Sequence, residues 1–148
     1  MADTPFTAQT YFRAGFERLS LATRLLAAHE YGAAHYFAGI AVESMRRAHA
    51  LRRGEPISSN HSVLFWAKQA GLLHTGRRPA GDQLAGMLNE VEARWRANHR
   101  YLPEATLVRY LYEAGLDRSI KGNRLKYSAG RLLELAAAIV AAGDARWK

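Results

Sequence analysis

The segment Arg94-Trp95-Arg96-Ala97-Asn98-His99-Arg100-Tyr101 gathers the residue types that metal-free cleavage of an RNA strand requires. An imidazole can take the proton of a 2′-hydroxyl or protonate the leaving oxygen near neutral pH. A guanidinium can stabilise the extra negative charge as phosphorus becomes pentacoordinate. On this reading Arg94 and His99 are the candidate catalytic pair. Arg96, Asn98, Arg100 and Tyr101 would bind phosphate or support the site. If the segment is helical, Arg94 and Asn98 share a face and His99 sits at the helix end. Pro103 shortly afterwards then predicts that the chain leaves the helix there and exposes His99 and Tyr101. A structural reading stands beside the chemical one. Trp95, in helical register with Leu88 and Val91, would plug the core; the arginines would form a solvated face, and His99 would cap a helix end.

Other chemistry finds less support. The chain has no cysteine, which excludes disulfides, thiolate metal sites, Fe–S clusters and cysteine nucleophiles. His29, Glu30 and His35 do not have the i, i+4 spacing of two histidine ligands on one helix, so no metal is expected. GxxxxGK[ST], GxGxxG and GxSxG are all absent, and no cofactor is expected. Ser58, Ser59 and Ser62 beside His61 read as helix-start residues rather than as an activated nucleophile. Glu43 lies in an apolar stretch, where a carboxylate calls for a partner. An arginine of the 94–100 segment would supply one, which makes Glu43 a support for the site rather than a catalyst.

Helices must position these residues. Tyr11, Phe12, Phe16, Leu19, Ala22, Leu25 and Leu26 recur at helical spacing and predict a helix from about Thr7 to His29, broken at Gly32. A second runs from about Ala33 to Arg53 and is stopped by Gly54 and Pro56. A short helix over His61–Ala70 follows, then a turn over 74–81. Asp82 is the expected cap of a helix through about Ala97. Pro103 opens a short helix to about Ala114, a basic link spans Asp117–Lys126, and the last helix carries Leu132, Leu135, Ala136, Ile139 and Val140. No stretch alternates with period two. The fold class expected is all-α, an antiparallel four- to five-helix bundle with an extra short helix.

The 148 residues fit a single domain, 1–148, that buries its own core, and 49% hydrophobic with 23% charged residues is a globular balance. The N-terminus lacks the apolar core of a leader peptide. The longest apolar run, Leu132–Gly143, contains Glu134 and falls short of the roughly 20 residues that span a bilayer. A soluble protein of the cytoplasm, with no membrane partner, is therefore expected. The net charge of +8 points to a polyanion, although 17 of the 21 basic residues are arginine in an alanine-rich chain, a bias that GC-rich coding also produces. Part of the excess is local: between residues 94 and 126 eight Lys/Arg face three acids, Glu104, Glu113 and Asp117.

Three features together resemble the HEPN domains of prokaryotic toxin–antitoxin and defence systems. The stretch from Tyr31 to Ala48, with its Tyr/Ala-rich start and an Ala41-Val42-Glu43 centre, is similar to the family's second long helix. His61-Ser62, opening a short helix that ends at Gly71-Leu72, is similar to the next element. Arg94-x4-His99-x-Tyr101 matches the family's ribonuclease signature. Arg24-x4-His29-x-Tyr31 satisfies the same expression at a place where the family does not carry it. The resemblance covers about residues 7–142. It implies a HEPN-like helical bundle and a homodimer in which two Arg/His pairs line one cleft. It also implies metal-independent RNA cleavage in catalytic members, with Arg94 holding the phosphate and His99 as acid or base. Some members are paired with a nucleotidyltransferase antitoxin that modifies the motif tyrosine, here Tyr101. Catalytic members usually place a small polar residue after the arginine, where this chain has Trp95. Non-catalytic relatives, which bind a partner protein or nucleotide, often show a tryptophan shortly before an Arg-Tyr pair, as Trp95 precedes Arg100-Tyr101 here.

Overall fold

The computed structural model describes residues 6–54 and 78–147, apart from the side chains of 78–82. Helix α1, Ala8–Ala27, starts at Thr7, whose hydroxyl accepts the Thr10 N–H at 3.2 Å. It ends in a Schellman turn: the Glu30 N–H reaches the Leu25 carbonyl and the His29 N–H the Leu26 carbonyl. The left-handed position of that turn is taken by His29, at φ 63°, rather than by the glycine expected to break the helix. Gly32 instead lies in the first turn of α2, Tyr31–Arg52, where its N–H donates to Glu104. Gly54, at φ 77°, follows the end of α2 as expected.

Helix α3, Arg78–Arg94, starts earlier than the sequence suggests, so Asp82 lies within it and does not cap it. It also stops earlier, and a 3-10 turn over Ala97–Tyr101 replaces its expected last turn. Arg94 and Asn98 therefore do not share a helix face. Pro103 precedes α4, Glu104–Glu113, and α5 spans Arg124–Ala145 behind the Asn123 cap. The helix expected over His61–Ala70 and the turn at 74–77 lie outside the described residues.

The described residues form five α-helices and no strand. The short α1–α2 turn makes these two helices antiparallel neighbours, and α5 packs on both. The His49 ring meets the Gly143 carbonyl at 2.9 Å near the C-terminal ends of α2 and α5. Arg94, close in the field of His35 on α2, bonds Ser128 on α5 near the N-terminal ends of both. Helices α2 and α5 therefore run in the same direction, one departure from a fully antiparallel bundle.

Helix α2 is the central element. Eleven of its thirteen residues between Ala38 and Ala50 are buried, which is possible because small side chains let the neighbouring helices approach closely. The main core joins Ala38 and Val42 of α2 to Leu84, Leu88 and Val91 of α3 and to Leu132, Leu135 and Ile139 of α5. Trp95, 1% exposed, seals this core where α3 ends. Its indole lies against Gly39, where any Cβ would overlap the ring, and its Nε1–H donates to the Tyr36 carbonyl at 3.0 Å. The structural reading of Trp95 thus holds.

Candidate functional site

Trp95 anchors the motif segment, and the residues around it diverge. Arg94 turns inward and is 5% exposed. Its Nε donates to Glu90 Oε2 at 2.9 Å, and its Nη1 donates to Asp117 Oδ2 at 2.8 Å and to Ser128 Oγ at 3.1 Å. Burial works against the charge, but the Asp117 and Glu90 carboxylates outweigh it and raise the pKa above the ordinary arginine value. Glu90 in turn takes two bonds of 2.8 Å from Arg131, and Arg131 first, then Arg94, holds its carboxyl below the usual range. The Arg94 guanidinium is thus the hub of a network that runs from the buried Ser128 and Asp117 side chains out to the part-exposed Glu90 and Arg131.

His99 is 5% exposed, contrary to the expectation that Pro103 would leave it open. Its Nδ1 accepts the Arg96 backbone N–H at 3.1 Å, which starts the 3-10 turn and places the ring proton on Nε2. The ring meets Tyr110 edge-on, with 4.9 Å between centroids. Burial, with the Arg96 charge added, lowers its pKa to about 4, so the ring is neutral at pH 7. His99 also lines a cavity of about 500 Å³ between the start of α2 and the start of α4, together with Tyr36, Phe37, Arg100 and Glu104.

His35, not singled out as a site residue from the sequence, stands 6.1 Å from His99, centroid to centroid. It is fully buried, and neither ring nitrogen has a hydrogen-bond partner among the described residues. Burial, then the charges of His99 and Arg94, lowers its pKa to about 3. The hints in the sequence were slight: His35 lies on the alanine-rich face of α2, and Glu90 stands one helical turn before Arg94. Asp117 and Ser128 gave no local signal.

The remaining motif residues lie outward. Arg96, Asn98 and Arg100 are exposed, and Tyr101 is 73% exposed with the Arg100 guanidinium 4.7 Å from its ring centroid. Arg100 also reaches the Tyr36 hydroxyl at 3.4 Å. Glu43 does not pair with the 94–100 segment as expected. Its Oε1 accepts from Arg46 and Arg47 of its own helix, each at 3.0 Å, because i, i+3 and i, i+4 partners lie within reach before any tertiary one. The structure therefore brings Arg94, His99 and His35 into one region and leaves Glu43 out of it.

Among the described residues no group of three or more His, Asp or Glu could hold a metal ion, and no helix is long and apolar enough to cross a membrane. No protein-family model, curated protein or solved structure matches the chain.

Proposed function

We propose that the chain is an RNA-directed, HEPN-like bundle that binds its ligand and does not cleave it. The enclosure of Arg94 carries this reading. With Nε and both Nη1 hydrogens committed to Glu90, Asp117 and Ser128 in a side chain 7% exposed, only Nη2 is left for a phosphate, and drawing the guanidinium outward would leave the 3%-exposed Asp117 side chain without its cation. His99 points the same way: with Nδ1 taken by Arg96 and a proton on Nε2, the neutral ring donates a hydrogen bond but has no lone pair ready for a 2′-hydroxyl proton. The outward Arg100 and Tyr101 remain available to a ligand. Tyr101 has the exposure that modification by a nucleotidyltransferase partner would need, and a homodimer fits the same resemblance.

The test is incubation of the purified protein with messenger and structured RNA in EDTA. Intact RNA, together with RNA binding that His99→Ala leaves unchanged, is the expected result. Metal-free cleavage lost in both Arg94→Ala and His99→Ala would overturn the reading and restore an endoribonuclease, possible in a toxin–antitoxin or defence setting. One observation favours that second reading: His99 lines the cavity beside Arg100, within reach of a small ligand.

A further inference from the structure

The link between α4 and α5 places its charges unequally. Between residues 114 and 131 the chain has one carboxylate, Asp117, and five cations, Arg118, Lys121, Arg124, Lys126 and Arg131. Asp117 adopts φ 61°, a left-handed conformation uncommon for a residue with a side chain, and turns inward to Arg94, its side chain 3% exposed. The pairing that encloses Arg94 therefore also strips the outer surface of its local carboxylate.

Lys121 and Lys126 stay outside. Both are exposed, and neither side chain forms an ion pair among the described residues. They line a groove of about 640 Å³ with Ile120, Tyr127, Gly130 and Arg131. Among the described residues Glu134 is the one acid in its lining, 3.4 Å from Arg131, which Glu90 also holds at 2.8 Å from behind. Tyr127 is 43% exposed, and the buried Arg94 lies 5.9 Å from its ring centroid on the inward side. Nearby, Arg118 and Arg124 both stand 5.1 Å from the ring centroid of Tyr112, itself 45% exposed.

Gly130 lines the same groove. A glycine inside a helix is unfavourable by about 1 kcal/mol relative to alanine. Gly39 has a packing reason, the Trp95 indole. At Gly130 a Cβ would meet nothing within 4 Å among the described residues, so no neighbour requires its absence. It lines the groove one helical turn beyond Tyr127, where a larger side chain would take up part of the space.

We infer that this groove binds single-stranded RNA, with phosphates at Lys121 and Lys126 and an unpaired base stacked on Tyr127 over Gly130. Cations along a concave path with an exposed aromatic ring are the combination that single strands use, whereas a duplex offers phosphates but no base faces. The inference rests on the RNA-directed reading above and gives that reading a surface separate from His99.

Fluorescence anisotropy with a labelled oligouridylate, titrated with salt, tests it. Lys121→Ala/Lys126→Ala should lower the slope of log affinity against log salt by about 1.4, at ~0.7 for each single-strand phosphate contact. Tyr127→Leu should weaken binding about tenfold, and Tyr127→Phe should restore it. Gly130→Leu should weaken binding while the melting temperature stays at or above that of the wild type. Arg13→Glu is the charge-matched control for Lys126→Glu. Arg13 is exposed and adjoins Phe12, which stacks on Trp147 at the far end of α5. Equal losses from the two reversals would overturn the groove assignment and leave the RNA reading standing, as would a duplex bound as tightly as the single strand. No binding of oligouridylate or messenger RNA by the wild type at low salt would overturn both.

Discussion

Arg94 and Lys126 belong to the same basic stretch of sequence and carry the same charge, yet the fold treats them in opposite ways. Arg94 is 5% exposed and bonded to Glu90, Asp117 and Ser128. Lys126, two residues from Ser128 along the chain, is exposed and has no ion pair among the described residues. An unpaired buried cation costs several kcal/mol, so the interior draws in carboxylates wherever they occur in the chain. A cation in water makes no such demand and keeps its charge for a partner. The difference teaches that charge in a motif and charge offered to a ligand are separate quantities, connected here through Asp117.

The sharpest way to break this comparison is to remove the buried cation. Arg94→Met should destabilise the protein by about 3–5 kcal/mol, because the nearly inaccessible Asp117 carboxylate loses its partner. The loss should appear in urea denaturation as a lower midpoint at constant slope. Adding Asp117→Asn should recover part of it, since the two groups are coupled. Stability within about 1 kcal/mol of the wild type in Arg94→Met would mean that the network is not structural, and Arg94 would again be a candidate for phosphate.

Next in size is the packing beside the network. Gly39→Ala puts a methyl group into the Trp95 indole, which its hydrogen bond to Tyr36 keeps from turning aside. A loss of about 3 kcal/mol is expected, at the upper end for overpacking. Gly143→Ala also meets a side chain, that of Met45, but a methionine can turn away, so its loss should be smaller. Thermal denaturation of the two variants side by side checks the order.

The acid dependence of stability sharpens the contrast further. His35 and His99 titrate at about 3 and about 4 in the folded protein, against an ordinary value near 6.5. Between these limits the unfolded chain binds protons that the folded one refuses, so stability falls as pH drops through the window from about 6.5 to 4, and for His35 to 3. By pH 5 the loss is about 2 kcal/mol for each histidine. His35→Leu should flatten about half of this dependence. At pH 7 it should leave stability intact, because no hydrogen bond to the ring is lost among the described residues. An unchanged pH profile in this variant would show that His35 is hydrated or partnered in solution.

Much of the fold could be read from residue pattern. The apolar spacings of α1, α2 and α5, the Gly54 stop and the Pro103 start each report a local rule, and local rules survive tertiary context. The ends of α3 could not be read in this way. Helical spacing carried the expected helix on to Ala97, while the chain leaves it after Arg94 to seat the Trp95 indole on Gly39 and close a 3-10 turn with His99. The site was legible in residue type only. Which residues carry reactive side chains was readable; that Arg94 and His99 would both be buried was not. The deciding partner, Asp117, is 23 residues away and was counted among the acids of a basic surface.

The smallest expected effect separates the two kinds of helical glycine. Gly130→Ala adds a methyl group at a site where, beyond its own helix backbone, no atom of the described residues lies within 4 Å, and it removes the conformational freedom of glycine from the unfolded chain. Both effects favour the folded state, by about 0.5–1 kcal/mol together. On a chain of this size that raises Tm by a few degrees, opposite in sign to Gly39→Ala. A methyl group is also small beside a groove of about 640 Å³, so RNA affinity should change little in Gly130→Ala and fall only with the larger Gly130→Leu. A drop in Tm for Gly130→Ala would mean that this stretch of α5 is covered in solution. Its glycine would then be explained by packing, and the contrast between the buried arginine and the open basic face would lose its outer half.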